Sequence, residues 1–574
     1  MLYIFSAVFV VSNGSGGNSP GSFIRAIQDA NSNPGYDTIV FNIPTTDPSY
    51  TCIGGNCWFS ITLSINPPAI TEGVLIDGST QTTYTGNTNL CDMNYRAYPD
   101  STGWTSIKDA YPRVAGVNRA KVPYFPCPEI EVDLNGRSSS NGIFSIQASN
   151  VVIKNLAIYN GGGGSGSQVI RVMTGSQNIL IENLILGLRA NGVPSDSTPS
   201  DGIFADSSTS GVIRKVYVGF LGTHGVKFGN ASGGPTNGWI LDSSEVFGCG
   251  WNWDQADNIN VYTRNITIRH NLIHSSDGSS SASDIRIFAS GIEVRYSGDS
   301  AKIYENTIYN NATKGIFVDG SSKYVEIVGN VIFGNGWRLP GPGVGVGERG
   351  GNSKYVLISR NSFSSNGGLA IDLDSTGVSG SAGDGVTCND NLRQTGNPNE
   401  LIDYPYIDSA RVVISPSDTS LYVWGRAYTG ADSVEIYLVS TPDMFNCSGE
   451  VNGHGEGGLF LGALRVVLNE FSGVISLNGL GVNWFSPQMI AAISRDNQMN
   501  TSEFSQNYPL PSPLDIGDEL SIYESIEIEN PGNVSVYSVD GRLIYKGKFK
   551  GFKGKAGIYF IKTWEKTFKV IIQP

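Results

Sequence analysis

The chain has 574 residues, of which 72 are Gly and only 16% are charged. An average soluble domain has about 25% charged residues and about 7% Gly. Low charge with 40% apolar residues excludes an expanded, disordered chain, and the Gly residues follow no G-X-Y period, which excludes collagen. The net charge is −13, although residues 541–574 hold nine Lys or Arg and one Glu. The rest of the chain, residues 1–540, is therefore strongly acidic, which argues against nucleic acid as a partner.

The first residues are apolar, but no stretch of the chain approaches the ~20 apolar residues of a membrane-spanning helix. Val8–Val11 is β-branched and aromatic and runs into a Gly/Ser/Asn turn. This pattern predicts a first strand, and a truncated signal peptide is the alternative.

Seven cysteines are present, and none has the spacing of a zinc site. Cys52 and Cys57 bracket a short flexible loop, and Cys91 and Cys127 flank what reads as one long insertion. We predict a disulfide within each pair and an oxidising compartment, with buried thiols as the alternative. Cys249 is expected to be the unpaired cysteine.

A repeat occupies residues 150–375, where short β-branched runs such as VVIKNLAIYN and AKIYENTIYNN recur every ~29 residues. Each unit predicts two short strands joined at a bend and a Gly-rich third strand, stacked on the next unit as a solenoid. Asn tolerates left-handed backbone, and its amide can bond the equivalent Asn one coil along. Alignment predicts one such ladder, with Lys215 and Ser244 completing it: Asn155, Asn183, Asn271, Asn306, Asn330 and Asn361.

These coils resemble right-handed parallel β-helix proteins of the pectate-lyase-like class. Residues 21–44 and 67–81 are similar to the opening segment of a bacterial surface group within it. The resemblance implies a short capping helix, and Phe23, Ile24 and Ile27 form one apolar stripe that suits it. Relative to that group, residues 88–126 are an insertion. The expected fold is all-β, with a β-helix over residues 1–400.

Two further β domains are predicted. Residues 383–407 resemble the loop by which the same group leaves the solenoid, and alternating runs over 401–508 suit an immunoglobulin-like sandwich. Residues 509–515 form a Pro-rich linker. Residues 516–574 contain VSVYSVDGRLIYKG, a predicted hairpin across Asp540–Gly541, and resemble the C-terminal sorting domain of the type IX secretion system. That resemblance implies export machinery as a partner and an extracellular or outer-surface location.

The β-helix class contains polysaccharide lyases and hydrolases, so charged residues on neighbouring coils are catalytic candidates. Coils ~4.8 Å apart bring such side chains together. The candidates are Asp201, Asp206, Arg214, His224, Asp254, Asp257, Arg264, Arg269 and His270, with Trp251 and Trp253 as sugar-stacking residues. Their preferred interpretation is structural, as turn residues and exposed strand charges.

No cofactor is expected. Calcium is the one ion for which oxygen ligands are present, beside Asp372 and Asp374 or in the acidic exit loop at Asp384 and Asp390.

The sequence favours a non-enzymatic surface protein: an adhesin, a matrix component or a fibre subunit. Its partners would be like subunits, joined head-to-tail or by strand addition, or cell-surface glycans. The alternatives are a polysaccharide lyase or glycoside hydrolase acting on the β-helix face, and a glycan-binding module without turnover.

Overall fold

The structure is a computed structural model that divides into two units. The first comprises residues 1–358, 366–368 and 374–383, and the second comprises 359–365, 369–373 and 384–574. The described residues are 6–91, 95–100, 103–108, 112–163, 166–194, 201–207, 209–230, 238–250, 257–277, 289–347, 352–375, 383–415, 417–443, 445–515, 521–522, 533–538, 543–548, 557–562 and 567–572.

The first unit is a parallel β-helix in which successive coils add one strand to each of three sheets. Its first sheet contains Val8–Val11, Asp37–Phe41, Val74–Asp77, Val152–Lys154, Ile179–Glu182, Gly211–Arg214, Trp239–Asp242, Ile266–Arg269, Lys302–Tyr304, Glu326–Val328 and Leu357–Ser359. The second contains Tyr50–Ile53, Asn56–Thr62, Ile130–Asp133, Ala157–Tyr159, Ile185–Leu186, Tyr217–Gly219, Glu245–Phe247, Leu272–His274, Thr307–Tyr309 and Val331–Phe333. The third contains Phe144–Ile146, Gln168–Val172, Asp201–Ala205, Val226–Phe228, Ile259–Val261, Ile292–Val294, Ile316–Val318 and Val344–Gly347.

The core of the β-helix consists of columns of aliphatic side chains. Alternate residues of each strand point inward, and the parallel register places the same position of each coil above the last. In the first sheet one column is fully or almost fully buried and consists of Ile153, Ile181, Ile213, Leu241, Ile268, Ile303 and Ile327. This packing explains why the repeat is rich in Ile and Val.

The N-terminal elements confirm two predictions. Val8–Val11 is a strand and pairs in parallel with Asp37–Phe41. A helix spans Phe23–Ser32, with the hydroxyl of Ser22 accepting a hydrogen bond from the Arg25 N–H at its start. Its apolar face is buried, as expected of a capping helix. A second short helix, Ser79–Thr85, was not predicted.

Both predicted disulfides are present, Cys52–Cys57 and Cys91–Cys127, and Cys249 is a buried free thiol. The segment enclosed by the second disulfide holds two hairpins. Their strands are Tyr95–Asp100 with Gly103–Lys108, and Val114–Ala115 with Ala120–Lys121.

The predicted single Asn ladder is wrong in one respect, because its members occupy two adjacent positions. Asn155 and Asn183 have left-handed backbone, with φ of 61° and 52°, and their amides are joined at 3.1 Å. In later coils the left-handed residue is the one before the Asn, for example Glu305 before Asn306.

The later ladder members therefore point into the core. The Nδ2 atom of Asn271 donates to Asn306 Oδ1 and that of Asn306 donates to Asn330 Oδ1, both at 3.0 Å. Asn361 is buried at the same position of the repeat. Leu156 and Leu184 fill this interior position in earlier coils, so amides and leucines are alternative solutions to one packing site.

A second buried ladder was not predicted and lies at the bend after the second sheet. Its members are Asn258, Asn311, Asn335 and Asn366, joined by amide hydrogen bonds of 2.8–3.0 Å. Each amide satisfies backbone groups that a tight bend would leave unpaired.

The second unit contains a β-sandwich of eight strands. These are Tyr406–Ser415, Asp418–Arg426, Ala431–Thr441, Glu456–Val467, Glu470–Ser476, Met489–Asp496, Tyr508–Pro509 and Leu514–Asp515. The strand Glu456–Val467 belongs to both layers of the sandwich, because it pairs with Ala431–Thr441 and, at its end, with Glu470–Ser476. Val434, Ile436, Leu421 and Val423 belong to the core between the layers. Residues 509–515, which were predicted to be a linker, begin in the strand Tyr508–Pro509 and end in the strand Leu514–Asp515 of this sheet.

The remaining strands of the second unit are short. Ser362–Ser364 and Ile371–Asp374 come from the last coil of the repeat, and a 3-10 helix spans Pro398–Leu401. A third disulfide, Cys388–Cys447, was not predicted.

A five-stranded sheet follows, formed by Ser521–Ile522, Asn533–Ser538, Leu543–Lys548, Gly557–Lys562 and Thr567–Ile572. Asn533–Ser538 and Leu543–Lys548 are antiparallel neighbours, as the predicted hairpin requires, although Asp540–Gly541 lie outside the described residues. Neither the two α-helices nor any other helix in the described ranges has the length and hydropathy to cross a membrane.

Candidate active site on the outer face of the third sheet

The outer face of the third sheet carries four polar residues and two Phe at one repeated position. Parallel pairing aligns this position across six coils, and its residues are Arg171, Phe204, Lys227, Asn260, Glu293 and Phe317. Asn260 and Glu293 are nevertheless completely buried. Polar side chains on an outward face are normally solvated, so their burial marks this part of the sheet as unusual.

Two carboxyl groups meet at the centre of this face. Asp257 lies just before the strand Ile259–Val261, and Glu293 lies in the next strand; both are fully buried. Burial, followed by the charge of Glu293 and hydrogen bonding with it, raises the pKa of Asp257 well above its ordinary value of 3.8. Ionisation of Asp257 is unfavourable because burial and the neighbouring acid both disfavour its anion. We call Asp257 and Glu293 the carboxyl pair.

Three neighbours hold the carboxyl pair in place. The Nδ2 atom of Asn260 donates to Glu293 Oε2 at 2.7 Å and lies 3.4 Å from Asp257 Oδ2. The Tyr262 hydroxyl donates to Glu293 Oε2 at 3.3 Å, and the Ser290 N–H donates to Asp257 Oδ1 at 2.9 Å. Burial and the charge of Glu293 raise the pKa of Tyr262, so this phenol stays protonated.

Cations surround the carboxyl pair. Arg295 Nη1 lies 3.6 Å from Glu293 Oε1, and Arg295 Nε lies 3.7 Å from Asp319 Oδ2. Burial lowers the pKa of Arg295, but Glu293, Tyr262 and Asp319 raise it by more, so the guanidinium stays charged. The Lys227 ammonium lies 5.5 Å from the centre of the Tyr262 ring.

The cluster reaches the surface at Tyr296. Its ring packs edge-to-face on Tyr262 with centroids 5.1 Å apart, and the Arg295 guanidinium lies 4.5 Å from its centre. Tyr296 is 42% exposed, whereas Tyr262 is only 7% exposed. The buried acid–base groups are therefore in direct contact with a solvent-exposed aromatic residue.

Two buried polar atoms beside the carboxyl pair have unused hydrogen-bonding capacity. Within the part of the chain that the structure describes, no donor reaches Asn260 Oδ1 and no group bonds the Ser290 hydroxyl. Leaving a buried polar atom unsatisfied costs about 1–3 kcal/mol. A bound molecule rich in hydroxyl groups would satisfy both atoms.

Four of the candidates from the sequence lie on or beside the third sheet. Asp257 belongs to the carboxyl pair. Asp206 accepts from Arg171 Nη2 at 2.8 Å. Asp201 accepts hydrogen bonds from the Thr223 hydroxyl and the His224 N–H, a turn role. Burial and then the Lys227 charge lower the pKa of His224 to about 4, so its imidazole is neutral.

The basic candidates lie elsewhere. Arg214 bonds Glu182 at 2.8 Å on the first sheet. Arg269 and His270 both contact Asp242, at 2.8 and 3.2 Å, also along the first sheet. Arg264 is half exposed and lies 4.0 Å from Asp299. Trp251, Trp253 and Asp254 lie outside the described residues.

The calcium candidates do not assemble in the described ranges, where no group of three or more His, Cys, Asp or Glu is arranged to hold a metal. Asp372 and Asp374 are buried in the last coil. Asp390 instead caps its own turn by accepting from the Leu392 N–H at 2.8 Å. Calcium binding stays a prediction.

Sequence reasoning missed Asn260, Tyr262, Glu293 and Arg295. Their signal was a polar residue between two β-branched ones, in NINVY and GIEVRY, at the Gly-rich third strand of the unit. Such a strand is buried on its inner face, so an embedded polar residue must face outward.

The fold defines the molecule as a parallel β-helix protein with a β-sandwich. Residues 201–391, about a third of the chain, match the family model described as the right-handed β-helix region. The coil is therefore of the right-handed class that the resemblance implied.

Solved structures with similarity to the chain include two alginate enzymes and a mannuronan epimerase, as their titles name them. The periplasmic alginate epimerase AlgG shares 13% identity, with 59% of this chain and 64% of that chain covered and a TM-score of 0.33. The A-module of the Azotobacter vinelandii mannuronan C-5 epimerase AlgE4 shares 12%, with 64% and 91% covered and a TM-score of 0.33. An alginate lyase from Paenibacillus sp. str. FPU-7 shares 15%, with 56% and 94% covered and a TM-score of 0.28. The chain spans less than two thirds of the length of the first, and these values are too low to transfer a substrate.

Proposed function

We propose that this protein is a polysaccharide-acting enzyme whose acid–base site is the carboxyl pair on the outer face of the third sheet. The observation that supports this is a pair of fully buried carboxyls, Asp257 and Glu293, that are bridged by the amide nitrogen of Asn260. A like-charged pair weakens the folded state, and perturbed carboxyls of this kind are concentrated at catalytic sites. We therefore favour the enzyme hypothesis over the non-enzymatic surface protein, which the fold does not test.

A single amide bridging the carboxyls favours a lyase over a glycoside hydrolase. Hydrolases of the two-carboxylate kind keep their carboxyls about 5–5.5 Å or 6.5–9.5 Å apart to fit a sugar or a water. Between Asp257 and Glu293 lies instead the amide nitrogen of Asn260, 3.4 Å from Asp257 Oδ2 and 2.7 Å from Glu293 Oε2. In a lyase reaction, the charged carboxylate of the pair removes the proton on the carbon next to a uronate carboxyl. The C–H electrons form a double bond, the glycosidic C–O bond breaks, and the protonated Tyr262 gives its proton to the leaving oxygen.

Cations at the site suit an acidic polysaccharide. Arg171, Lys227 and Arg295 lie along the third sheet, where Arg295 Nη1 is 3.6 Å from Glu293 Oε1 and the Lys227 ammonium is 5.5 Å from the centre of the Tyr262 ring. Guanidinium and ammonium groups attract a polymer of uronic acids and stabilise the enolate-like charge formed on its carboxyl.

The test is turnover by the full chain on a panel of polyuronates and neutral polysaccharides, read as unsaturated product and as new reducing ends. We expect unsaturated product from at least one polyuronate and its loss in Asp257→Asn and Glu293→Gln. Glu72→Gln, an exposed site on the same unit, is the control. Reducing ends without unsaturated product would identify a hydrolase instead. No turnover on any polymer, or unchanged turnover in both variants, would contradict the proposal.

Export through residues 516–574 and an extracellular location remain part of the proposal. The three disulfides support an oxidising compartment. Deleting residues 516–574 should leave the protein inside the producing cell, as judged by fractionation, whereas normal export of the truncated chain would contradict a sorting role.

A further inference from the structure

The second unit has a cleft of its own. It is open to solvent, has a volume of about 590 Å³, and is lined by Asn391, Tyr406, Arg426, Tyr428, Thr429 and Asn469. This volume falls within the range of ordinary ligand pockets, about 300–1,000 Å³. The lining combines two tyrosine rings with amide, hydroxyl and guanidinium groups, so the cleft is both aromatic and polar.

One arginine organises the two tyrosines. Arg426 forms a two-point ion pair with Asp408, with Nε–Oδ2 and Nη2–Oδ1 both at 2.8 Å. Its guanidinium lies 5.7 Å from the centre of the Tyr406 ring, and Nη1 lies 3.4 Å from the Tyr428 hydroxyl. Tyr406 and Tyr428 meet edge-to-face with centroids 6.4 Å apart. Because Asp408 balances Arg426, the wall offers hydrogen bonds without a net positive charge.

Thr429, the chain neighbour of Tyr428 in the cleft lining, is held in an unfavourable backbone conformation. Thr429 has φ of 54°, a left-handed value that is a true outlier for a β-branched residue. Its carbonyl accepts from Arg393 Nη2 at 3.0 Å, and its hydroxyl accepts from the Asp403 N–H at 3.0 Å. Strain that several contacts maintain is typical of ligand-binding positions.

The loop that carries Asn391 is also fixed. The Cys388–Cys447 disulfide anchors it, and the Asn389 side chain forms two hydrogen bonds with the backbone of Tyr404, at 2.8 and 3.0 Å. Preformed walls reduce the ordering cost of binding.

We propose that this cleft binds a neutral glycan chain. Aromatic faces pack on the C–H face of sugar rings, and amides at the rim donate to and accept from hydroxyl groups. The balanced charge distinguishes it from the third sheet, where cations favour acidic sugars. The cleft would hold the protein on one carbohydrate while the carboxyl pair acts on another, and its binding does not depend on the proposed enzymatic function.

The test is calorimetric titration of the full chain with neutral hexasaccharides (cello-, xylo- and mannohexaose) and with a hexauronate. We expect at least one neutral hexasaccharide to bind, and Tyr406→Ala and Tyr428→Ala each to weaken it about tenfold or more, as expected for loss of a stacking ring. Phe485→Ala, which removes an exposed aromatic residue outside the cleft, is the matched control and should bind normally. Tyr428→Phe keeps the ring, and it is the second variant if Tyr428→Ala unfolds.

The proposal is overturned if no neutral hexasaccharide binds at about 10 mM, a concentration at which even weak sugar sites fill. It is also overturned if binding is unchanged in folded Tyr406→Ala protein. Glu293→Gln separates the two proposals, since it should abolish turnover and leave hexasaccharide binding intact.

Discussion

The outer faces of the second and third sheets both contain buried carboxyl groups, but these groups have different neighbours. On the second sheet, Phe125 of the insertion packs in an apolar cluster with Trp58 and Tyr217. Glu245 is completely buried there, and it contacts Arg113 Nη1 at 2.6 Å and His274 Nε2 at 3.0 Å. A buried carboxylate thus has two basic partners.

On the third sheet, the two buried carboxyls share one neutral amide, that of Asn260, and the Arg295 guanidinium lies 3.6 Å from Glu293. A face that serves packing needs opposite charges in contact, because an unpaired buried charge costs several kcal/mol. Like groups in contact bring the fold no such benefit, so the third sheet carries the arrangement that needs a chemical explanation.

The sharpest test of this difference exchanges each acid for its amide. Glu293→Gln should lower turnover about 10²–10⁴-fold, the usual contribution of an acid–base group, without loss of stability. Glu245→Gln should keep turnover per folded molecule and lower the unfolding midpoint. Equal effects of the two substitutions on turnover would remove the distinction between the faces.

The insertion on the second sheet should depend on its disulfide. Cys91 and Cys127 are 36 residues apart, and in the chain-entropy model a loop of that length contributes about 4 kcal/mol. The double substitution Cys91→Ala with Cys127→Ala should raise hydrogen exchange in residues 112–127 and leave exchange at Ile292–Val294 unchanged. Increased exchange at both places would show that the two faces are not independent.

Arg113→Met should destabilise the second-sheet face by about 3 kcal/mol, because it leaves Glu245 buried without its guanidinium partner. Thermal unfolding measures this loss. Lys121→Met changes an exposed cation of the same hairpin and should have almost no effect. A stable Arg113→Met protein would mean that His274 alone compensates Glu245.

The pH dependence of the unfolding free energy should report the raised pKa of Asp257 on the third sheet. The folded protein keeps a proton on Asp257 that the unfolded chain loses near its ordinary pKa of 3.8. Stability from this proton is therefore complete below pH 3.8 and declines as pH rises toward the folded pKa, by at most about 1.4 kcal/mol per pH unit. Asp257→Asn should flatten this decline in unfolding midpoints above pH 4. Parallel curves for the two proteins would contradict the raised pKa.

Local pattern alone determined much of the architecture. The alternation and period of the coils predicted the stacked sheets, and short sequence spacing suggested Cys52–Cys57. The family resemblance implied the capping helix, which the apolar stripe of Phe23, Ile24 and Ile27 suits. Each of these depends on residues close in the chain or on a recurring pattern, so each is readable without coordinates.

Only the tertiary structure decided which side chains meet. Asp257 and Glu293 are 36 positions apart, and register between coils brings them into contact. The same dependence on register separates Asn155 from Asn271, since a shift of one residue turns a side chain from the bend into the core. Coil lengths vary between 24 and 35 residues because the loops differ in length, so the strand register cannot be read from the sequence. Backbone hydrogen bonds between neighbouring strands set that register in the fold.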